Sequence, residues 1–133
     1  EFTGWVGEAS LASLYRRARA LIYPQREEFG LVAIEAQAAG RPVIAFGAGG
    51  ALDTIRPFPE TGADSGRHPD EAPTGIFFHR PEASALAQAI ERFEKVEIQF
   101  EPSRLRSWAR RFSPARFDKA LDHEIALAME HAS

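Results

Sequence analysis

The chain has 133 residues, of which 44% are hydrophobic and 26% charged, and its formal net charge is -3. This length and composition fit one globular domain with a single hydrophobic core. The acidic balance argues against a nucleic-acid-binding protein, which would usually carry a basic excess. The absence of cysteine excludes disulfides, thiolate zinc sites and cysteine nucleophiles. Residues 1–3 lack the charged start and apolar stretch of a signal peptide, and no apolar run approaches the roughly 20 residues needed to span a membrane. A cytoplasmic location is therefore expected.

Short apolar runs alternate with segments of helical periodicity along the chain. This alternation is typical of an α/β domain with a parallel sheet. Four runs are predicted as strands, at residues 2–6, 20–23, 43–46 and 75–78. The sequence therefore predicts a Rossmann-like three-layer domain with a parallel sheet of about four strands.

Helices are predicted between and after these strands. The first carries an apolar face that includes Leu14 and Tyr15, and the second covers about residues 30–39. Gly40 stands where a C-terminal cap belongs. Ser113 and Pro114 form a cap and a first position for the last helix. Residues 57–74 are rich in proline, glycine and acidic residues without periodicity, which predicts a mobile surface loop within the domain.

Two segments are expected to form the functional site. In open parallel sheets, ligands bind beyond the carboxyl ends of the strands, where loops lead into helix N-termini. The segment from Glu27 to Glu35 follows the second predicted strand, and Gly47 to Gly50 follow the third. Both segments occupy that position.

The segment from Glu27 to Glu35 offers groups for two kinds of contact. Gly30 opens a helix, whose free N–H groups and positive dipole end suit a phosphate. Glu27 precedes this helix end and Glu35 lies within the helix, and carboxylates accept hydrogen bonds from the hydroxyls of a sugar ring or a ribose. Gly49 and Gly50 would let backbone approach a ligand closely. Phosphate donors between two hydroxyl acceptors predict a nucleotide-sugar.

The run EEFGLVAIEAQAAGRPVIA from Glu27, followed by Gly49 and Gly50, resembles the family-four retaining glycosyltransferases (glycosyl transferases group 1). Residues 2–6 resemble the strand ending in Gly-x-Val of that family. The stretches TGIFF at 74–78 and RRFSPARF at 110–117 resemble mannosyltransferase-like members of polysaccharide assembly. The resemblance implies the GT-B fold of two Rossmann domains. Residues 1–133 would then be the C-terminal, donor-binding domain, too short to be the whole enzyme.

The resemblance also implies roles for the matching residues. Glu27 would act in catalysis by contacting hydroxyls of the transferred sugar, and Glu35 would hold the ribose hydroxyls. Backbone near Val6 would meet the base, and Gly49 and Gly50 would line the sugar side. Amides that would face the diphosphate are those of Phe29, Gly30, Leu31 and Val32.

The reaction implied by the resemblance is transfer from a nucleotide-sugar to an alcohol acceptor, with retention and without a metal or other cofactor. GDP-mannose is the preferred donor and a UDP-sugar the next, and the product would belong to polysaccharide or glycolipid synthesis. The acceptor-binding domain and the basic residues that neutralise the diphosphate would lie upstream, so this chain alone is expected to be inactive. Gln37, where methionine is usual, is a mild departure. Peripheral membrane contact is an expectation for the longer protein, and nucleic acid is not an expected partner.

Other interpretations of the same residues are open. Glu27 and Glu35 could be solvated acids flanking a helix. The chain could also be a non-catalytic remnant, or a regulatory module that binds nucleotide-sugars. A receiver or dehydrogenase domain is disfavoured, because no GxGxxG follows the first predicted strand. Arginine clusters at 16–19 and 110–111 fit membrane docking or ordinary helix surface.

Overall fold

The computed structural model describes residues 1–60 and 72–131. Three strands and six helices lie along these ranges, the last three helices following β3, and two short 3₁₀ turns follow α4 and α5. The elements are α1 Glu8–Arg17, β1 Leu21–Tyr23, α2 Leu31–Ala38, β2 Val43–Phe46, α3 Ala51–Thr54, β3 Gly75–Phe78, α4 Ala83–Val96, the turn Glu97–Gln99, α5 Pro102–Ala109, the turn Arg110–Phe112 and α6 Pro114–His131. None of the helices within the described ranges is long and apolar enough to cross a membrane.

The three strands form one parallel sheet in the order β1-β2-β3. Leu21 of β1 lies opposite Val43 of β2, which in turn lies opposite Gly75 of β3. Parallel strands need crossover connections, and the helices between them supply these. The predicted α/β class with a parallel sheet is therefore confirmed.

Hydrophobic cores lie on both faces of the sheet, because side chains along a strand alternate between its faces. Val43 and Ala45 of β2 join a core that α2 and α3 cover. Ile44 and its β3 neighbour Ile76 join a second core that α4 and α5 cover. Two covered faces make the domain three-layered, as the sequence predicts.

The strand predicted at residues 2–6 is not formed. Residues 1–7 have no regular structure, and the side chains of Phe2 and Trp5 are fully or almost fully exposed. Gly4 adopts a φ of 64°, far from the extended region that strands require. The described sheet therefore has three strands, where the sequence predicts about four.

The predicted ends of two helices are confirmed. Gly40 and Arg41 donate their amides to the carbonyls of Gln37 and Ala36, which is the hydrogen-bond pattern of a Schellman cap. The last helix begins at Pro114, directly after Ser113. Local cap chemistry was sufficient to locate both ends.

The predicted loop at 57–74 is held to the sheet where the structure describes it. Pro57 forms a parallel bridge with Gly75, and Phe58 packs into the α4-side core. The Arg56 amide donates to the Thr74 hydroxyl at 2.9 Å, and Thr74 is fully buried. Residues 61–71, the centre of the predicted mobile loop, lie outside the described residues.

Candidate functional site

The candidate site lies at the carboxyl edge of the sheet, where the loop after β1 leads into α2. Gly30 is the residue before α2 and takes a left-handed conformation, with φ 79° and ψ 55°. A side chain there would be strained, and its Cβ would lie 3.3 Å from the Tyr23 hydroxyl. Glycine at this position therefore allows the chain to turn from β1 into the helix.

The N-terminus of α2 can bind an anion. The first amides of a helix have no partner within the helix, and the helix dipole places partial positive charge at them. The Ala33 amide bonds to the Gly30 carbonyl at 3.1 Å, so the amides of Leu31 and Val32 are the ones at the open end. The side chains of both residues are exposed. They are two of the four amides predicted to face a diphosphate, the others being those of Phe29 and Gly30, and that role stays a prediction.

Gly49 and Gly50 lie against the loop that precedes α2. The Gly50 amide donates to the Glu27 carbonyl at 2.7 Å. A Cβ at Gly49 would collide with that same carbonyl, and one at Gly50 would collide with the backbone of Glu28 and Phe29. The close approach that requires glycine is therefore between two loops of the chain. A role for these glycines beside a ligand stays a prediction.

Glu27 is an exposed carboxylate in a polar setting. Gln25 donates its side-chain amide to Glu27 Oε1 at 2.7 Å. The neighbouring Tyr23 hydroxyl, together with this amide, holds the pKa of Glu27 below its usual value. At neutral pH Glu27 is therefore an ionised group that only accepts hydrogen bonds, as a reader of sugar hydroxyls must be.

Glu35 points to a different neighbour. Its Oε2 accepts a hydrogen bond from the Tyr15 hydroxyl of α1 at 3.1 Å. Burial and the Glu35 carboxylate raise the pKa of Tyr15 to about 12, so this hydroxyl remains a donor through the physiological range. The second oxygen of Glu35 has no hydrogen bond to a described residue. Glu35 therefore lies on α2 and faces α1, whereas Glu27 lies in the loop before α2. Their predicted contacts with a ribose and a sugar stay predictions.

Glu35 lines a cavity of about 850 Å³ between α1, α2 and α5. Leu11 and Tyr15 of α1 form part of its wall, and Arg41 and Arg106 line it as well. Val6, the predicted base contact, is half-buried two residues before α1 begins. A cavity of this volume is large enough for a small ligand.

Sequence reasoning missed two tyrosines that shape the site. Tyr15 was assigned only to an apolar helix face, yet its hydroxyl holds Glu35. Tyr23 was assigned to a buried strand, yet its hydroxyl lies beside Gly30 and Glu27. A tyrosine on a core face places its polar end at the edge of that core. The amphipathic character of tyrosine is therefore the sequence feature that could have indicated these two roles.

Metal chemistry is not indicated by the described residues. Within 1–60 and 72–131, no three histidine, aspartate or glutamate side chains converge as a metal site would require. The expectation of metal-independent chemistry remains a prediction.

The family comparison agrees with this geometry. Residues 1–111 match the family described as glycosyl transferases group 1. The match includes both loops at the carboxyl edge, and with them Glu27, Glu35, Gly49 and Gly50.

Curated relatives of the chain are much longer proteins. A D-inositol 3-phosphate glycosyltransferase from Streptomyces coelicolor is 37% identical over 89 residues, which are 66% of this chain and 16% of the relative. The alpha-1,3/1,6-mannosyltransferase ALG2 from Kluyveromyces lactis is 31% identical over 121 residues, covering 84% of this chain and 23% of the relative. The chain thus spans less than a quarter of the length of either relative.

Solved structures show the same fold. Sucrose-phosphate synthase from Thermosynechococcus elongatus matches with a TM-score of 0.71 and 28% identity, over 100% of this chain and 31% of that chain. The catalytic domain of starch synthase IV from Arabidopsis thaliana, bound to ADP and acarbose, matches with a TM-score of 0.69 and 20% identity, over 97% and 26%. These structural neighbours are GT-B glycosyltransferases. The chain belongs to the glycosyl transferases group 1 family.

Proposed function

We propose that the chain is the nucleotide-sugar-binding part of a longer retaining glycosyltransferase. The observation that carries the proposal is the open N-terminus of α2, with the Glu27 carboxylate in the loop before it and the Glu35 carboxylate on the helix itself. Glu27 is exposed and ionised, and Glu35 is oriented by Tyr15. This arrangement suits a ligand with a central anion and a hydroxyl-bearing ring at each end.

The diphosphate of the donor would lie at the N-terminus of α2. The amides of Leu31 and Val32 would donate to phosphate oxygens, as helix N-termini commonly do. During transfer, negative charge grows on the departing diphosphate, and fixed amides stabilise that charge without reorganising. These amides would therefore contribute to catalysis as well as to binding.

The two carboxylates would orient the rings. Glu27 would accept hydrogen bonds from the transferred sugar, and Glu35 from the ribose. Catalysis in this part of the enzyme would be mainly orientation, which brings the anomeric carbon to the acceptor hydroxyl. An acceptor-binding domain outside these residues would supply that hydroxyl, so this chain by itself is expected to be inactive.

The proposed donor is GDP-mannose, with a UDP-sugar as the next candidate. Similarity to a mannosyltransferase supports the sugar, at 31% identity. The proposed acceptor is an alcohol in polysaccharide or glycolipid synthesis, and the proposed chemistry retains the anomeric configuration and needs no metal. A cytoplasmic enzyme with peripheral membrane contact fits such an acceptor.

Ligand-observed saturation-transfer NMR with GDP-, UDP- and ADP-sugars tests donor binding directly. We expect transfer to ribose and base protons for one nucleotide, strongest for GDP-mannose, and a loss of about tenfold in affinity for Glu35→Gln. Glu91→Gln, which changes an exposed glutamate of α4, is the matched control and should bind as the unchanged chain does. Equal loss in both variants, or no transfer for any nucleotide at millimolar concentration, would contradict the proposal.

The second candidate is a module that binds nucleotide-sugars without catalysis. Activity of the full-length protein separates the two candidates. An enzyme loses sugar transfer when Glu27 is changed to Gln, whereas a binding module shows no transfer with or without this change. Anomeric NMR of the product would also show whether configuration is retained.

A further inference from the structure

A groove of about 690 Å³ lies on the flank of the domain, apart from the candidate donor site. Its wall is formed by α5, the turn after it and the start of α6. Four arginines, Arg56, Arg104, Arg111 and Arg116, line it together with Ala72, Ser107 and Trp108. No acidic side chain of the described residues is part of this lining. The described part of this lining is therefore strongly cationic, although the chain as a whole is acidic.

Trp108 is fixed in place at the base of this groove. Its Nε1 donates to the Thr54 carbonyl at 2.8 Å, and its ring packs edge-on against Phe112 with centroids 5.5 Å apart. The guanidinium groups of Arg56 and Arg111 lie 4.2 Å and 4.8 Å from the Trp108 ring centroid. Cation–π contacts with this fixed indole therefore restrain the guanidinium groups of Arg56 and Arg111.

Arginines gathered around one ring repel one another, and a multivalent anion removes that repulsion. Arg104 and Arg56 are exceptions in part, because Glu101 contacts Arg104 Nε at 3.0 Å and Arg56 has a further interaction of its own. Guanidinium groups bind phosphate oxygens through paired N–H donors in a planar fork. Ser107 adds a hydroxyl that can donate to the same oxygens.

We propose that the groove formed by Arg104, Arg111 and Arg116 around Trp108 binds a phosphate-bearing anion. The site is distinct from the N-terminus of α2 and does not depend on nucleotide-sugar binding there. Phe112 connects the two regions, because it contacts both Trp108 and Phe29 of the donor loop. The phosphate could belong to a soluble phosphoester or to a lipid headgroup, and the experiment separates these sources.

The two tryptophans of the chain make the test direct. In ¹H–¹⁵N spectra, each indole N–H gives one signal, and Trp5→Phe assigns them. During a titration with sodium pyrophosphate at constant ionic strength, we expect the Trp108 signal to move and saturate. The Trp5 signal should stay in place, because that side chain is 93% exposed and does not line this groove.

Paired variants locate the binding. Arg111→Gln with Arg116→Gln should weaken the Trp108 response to pyrophosphate at least tenfold, and Arg17→Gln on α1 should not. The Leu31 amide reports the donor site separately, so its response should survive the double change.

Sedimentation with phosphatidylcholine vesicles, with and without phosphatidylglycerol, tests a lipid source. Vesicle binding that pyrophosphate displaces would assign the headgroup.

Two results would overturn the proposal. One is a Trp108 signal that moves no more than the Trp5 signal, combined with no preference for anionic vesicles. The other is an equal response in the double variant and in Arg17→Gln, which would show only nonspecific charge screening. Loss of the Leu31 response alone would contradict the donor site and leave the groove standing.

Discussion

The two tyrosines of the chain both place a hydroxyl beside a carboxylate of the candidate site. Tyr15 bonds to Glu35, and Tyr23 lies next to Glu27. In each case burial is the main reason that the pKa rises to about 12, and the carboxylate adds to it. Each tyrosine thus packs its ring against the core and places its hydroxyl in the candidate site.

This pairing predicts the titration of the tyrosines. Absorbance at 295 nm should show no tyrosinate near pH 10 in the folded chain, and ionisation should begin close to pH 12. The pKa of both tyrosines is higher in the folded than in the unfolded chain. Their contribution to the free energy of unfolding is therefore fully present below pH 10 and is lost as the pH rises toward 12. In 8 M urea both residues should titrate near 10. A folded-state step of one tyrosine at pH 10 would contradict this assignment.

Gly50 gives a second prediction at this scale. Gly50→Ala should lower the free energy of unfolding by about 2 kcal/mol, because the added Cβ collides with the backbone of Glu28 and Phe29. Urea denaturation measures the loss. Gly7→Ala is the control, since a Cβ there meets nothing within 4 Å, and it should cost less than about 1 kcal/mol, from the poorer N-cap of α1.

At the scale of elements, one buried amide joins three helices. Gln37 of α2 donates to the Ala33 carbonyl and, at 3.1 Å, to the Thr54 carbonyl at the end of α3. Trp108 of α5 donates to that same Thr54 carbonyl. This network holds α3, and the glycine turn before it, against α2. Methionine at position 37 would lack these donors.

Two substitutions of the buried Gln37 are expected to differ in their effect on the free energy of unfolding. Gln37→Met should be nearly neutral, because the Thr54 carbonyl keeps its bond from Trp108 and the unsatisfied Gln37 Oε1 is removed. Gln37→Glu should cost on the order of 3 kcal/mol at neutral pH, because it buries a charge. Its buried carboxyl would have a raised pKa, so the deficit should shrink as the pH falls toward 4. Urea denaturation at several pH values checks both, and equal stabilities of the two variants would contradict the complete burial of position 37.

On the scale of the whole molecule, α6 stands apart from the two cores. Neither core includes a described side chain of α6. Three apolar residues of the predicted stripe, Phe117, Leu121 and Ile125, are 65%, 46% and 49% exposed. The apolar stripe of α6 thus remains largely exposed outside both cores.

Removal of α6 therefore tests how the domain is stabilised. Truncation after Ser113 should leave the melting temperature within about 2 °C of the full chain, because both cores remain intact. Truncation after Phe100 should unfold the domain, since it also removes Leu105, which is completely buried. Circular dichroism melting measures both. A large loss from the first truncation would show that α6 packs on the cores.

Local sequence patterns determined much of this protein. The period of the apolar residues predicted the strands at 43–46 and 75–78 and helix α2, because side chains facing a core must repeat with the geometry of the element. Cap residues located the end of α2 and the start of α6. The spacing of Glu27 and Glu35 pointed to the family, which the match over residues 1–111 confirms.

Tertiary structure decided what local patterns cannot contain. A run such as residues 2–6 resembles a strand, but a strand forms only where a partner supplies hydrogen bonds, and Gly4 breaks the extended backbone. The approach of Gly50 to the Glu27 carbonyl joins loops 23 residues apart in sequence, and the Tyr15–Glu35 bond joins residues 20 apart. The grouping of Arg104, Arg111 and Arg116 around Trp108 likewise depends on how the turn after α5 directs α6. These contacts depend on packing between elements that are distant in sequence, so the local periodicity of the sequence could not predict them.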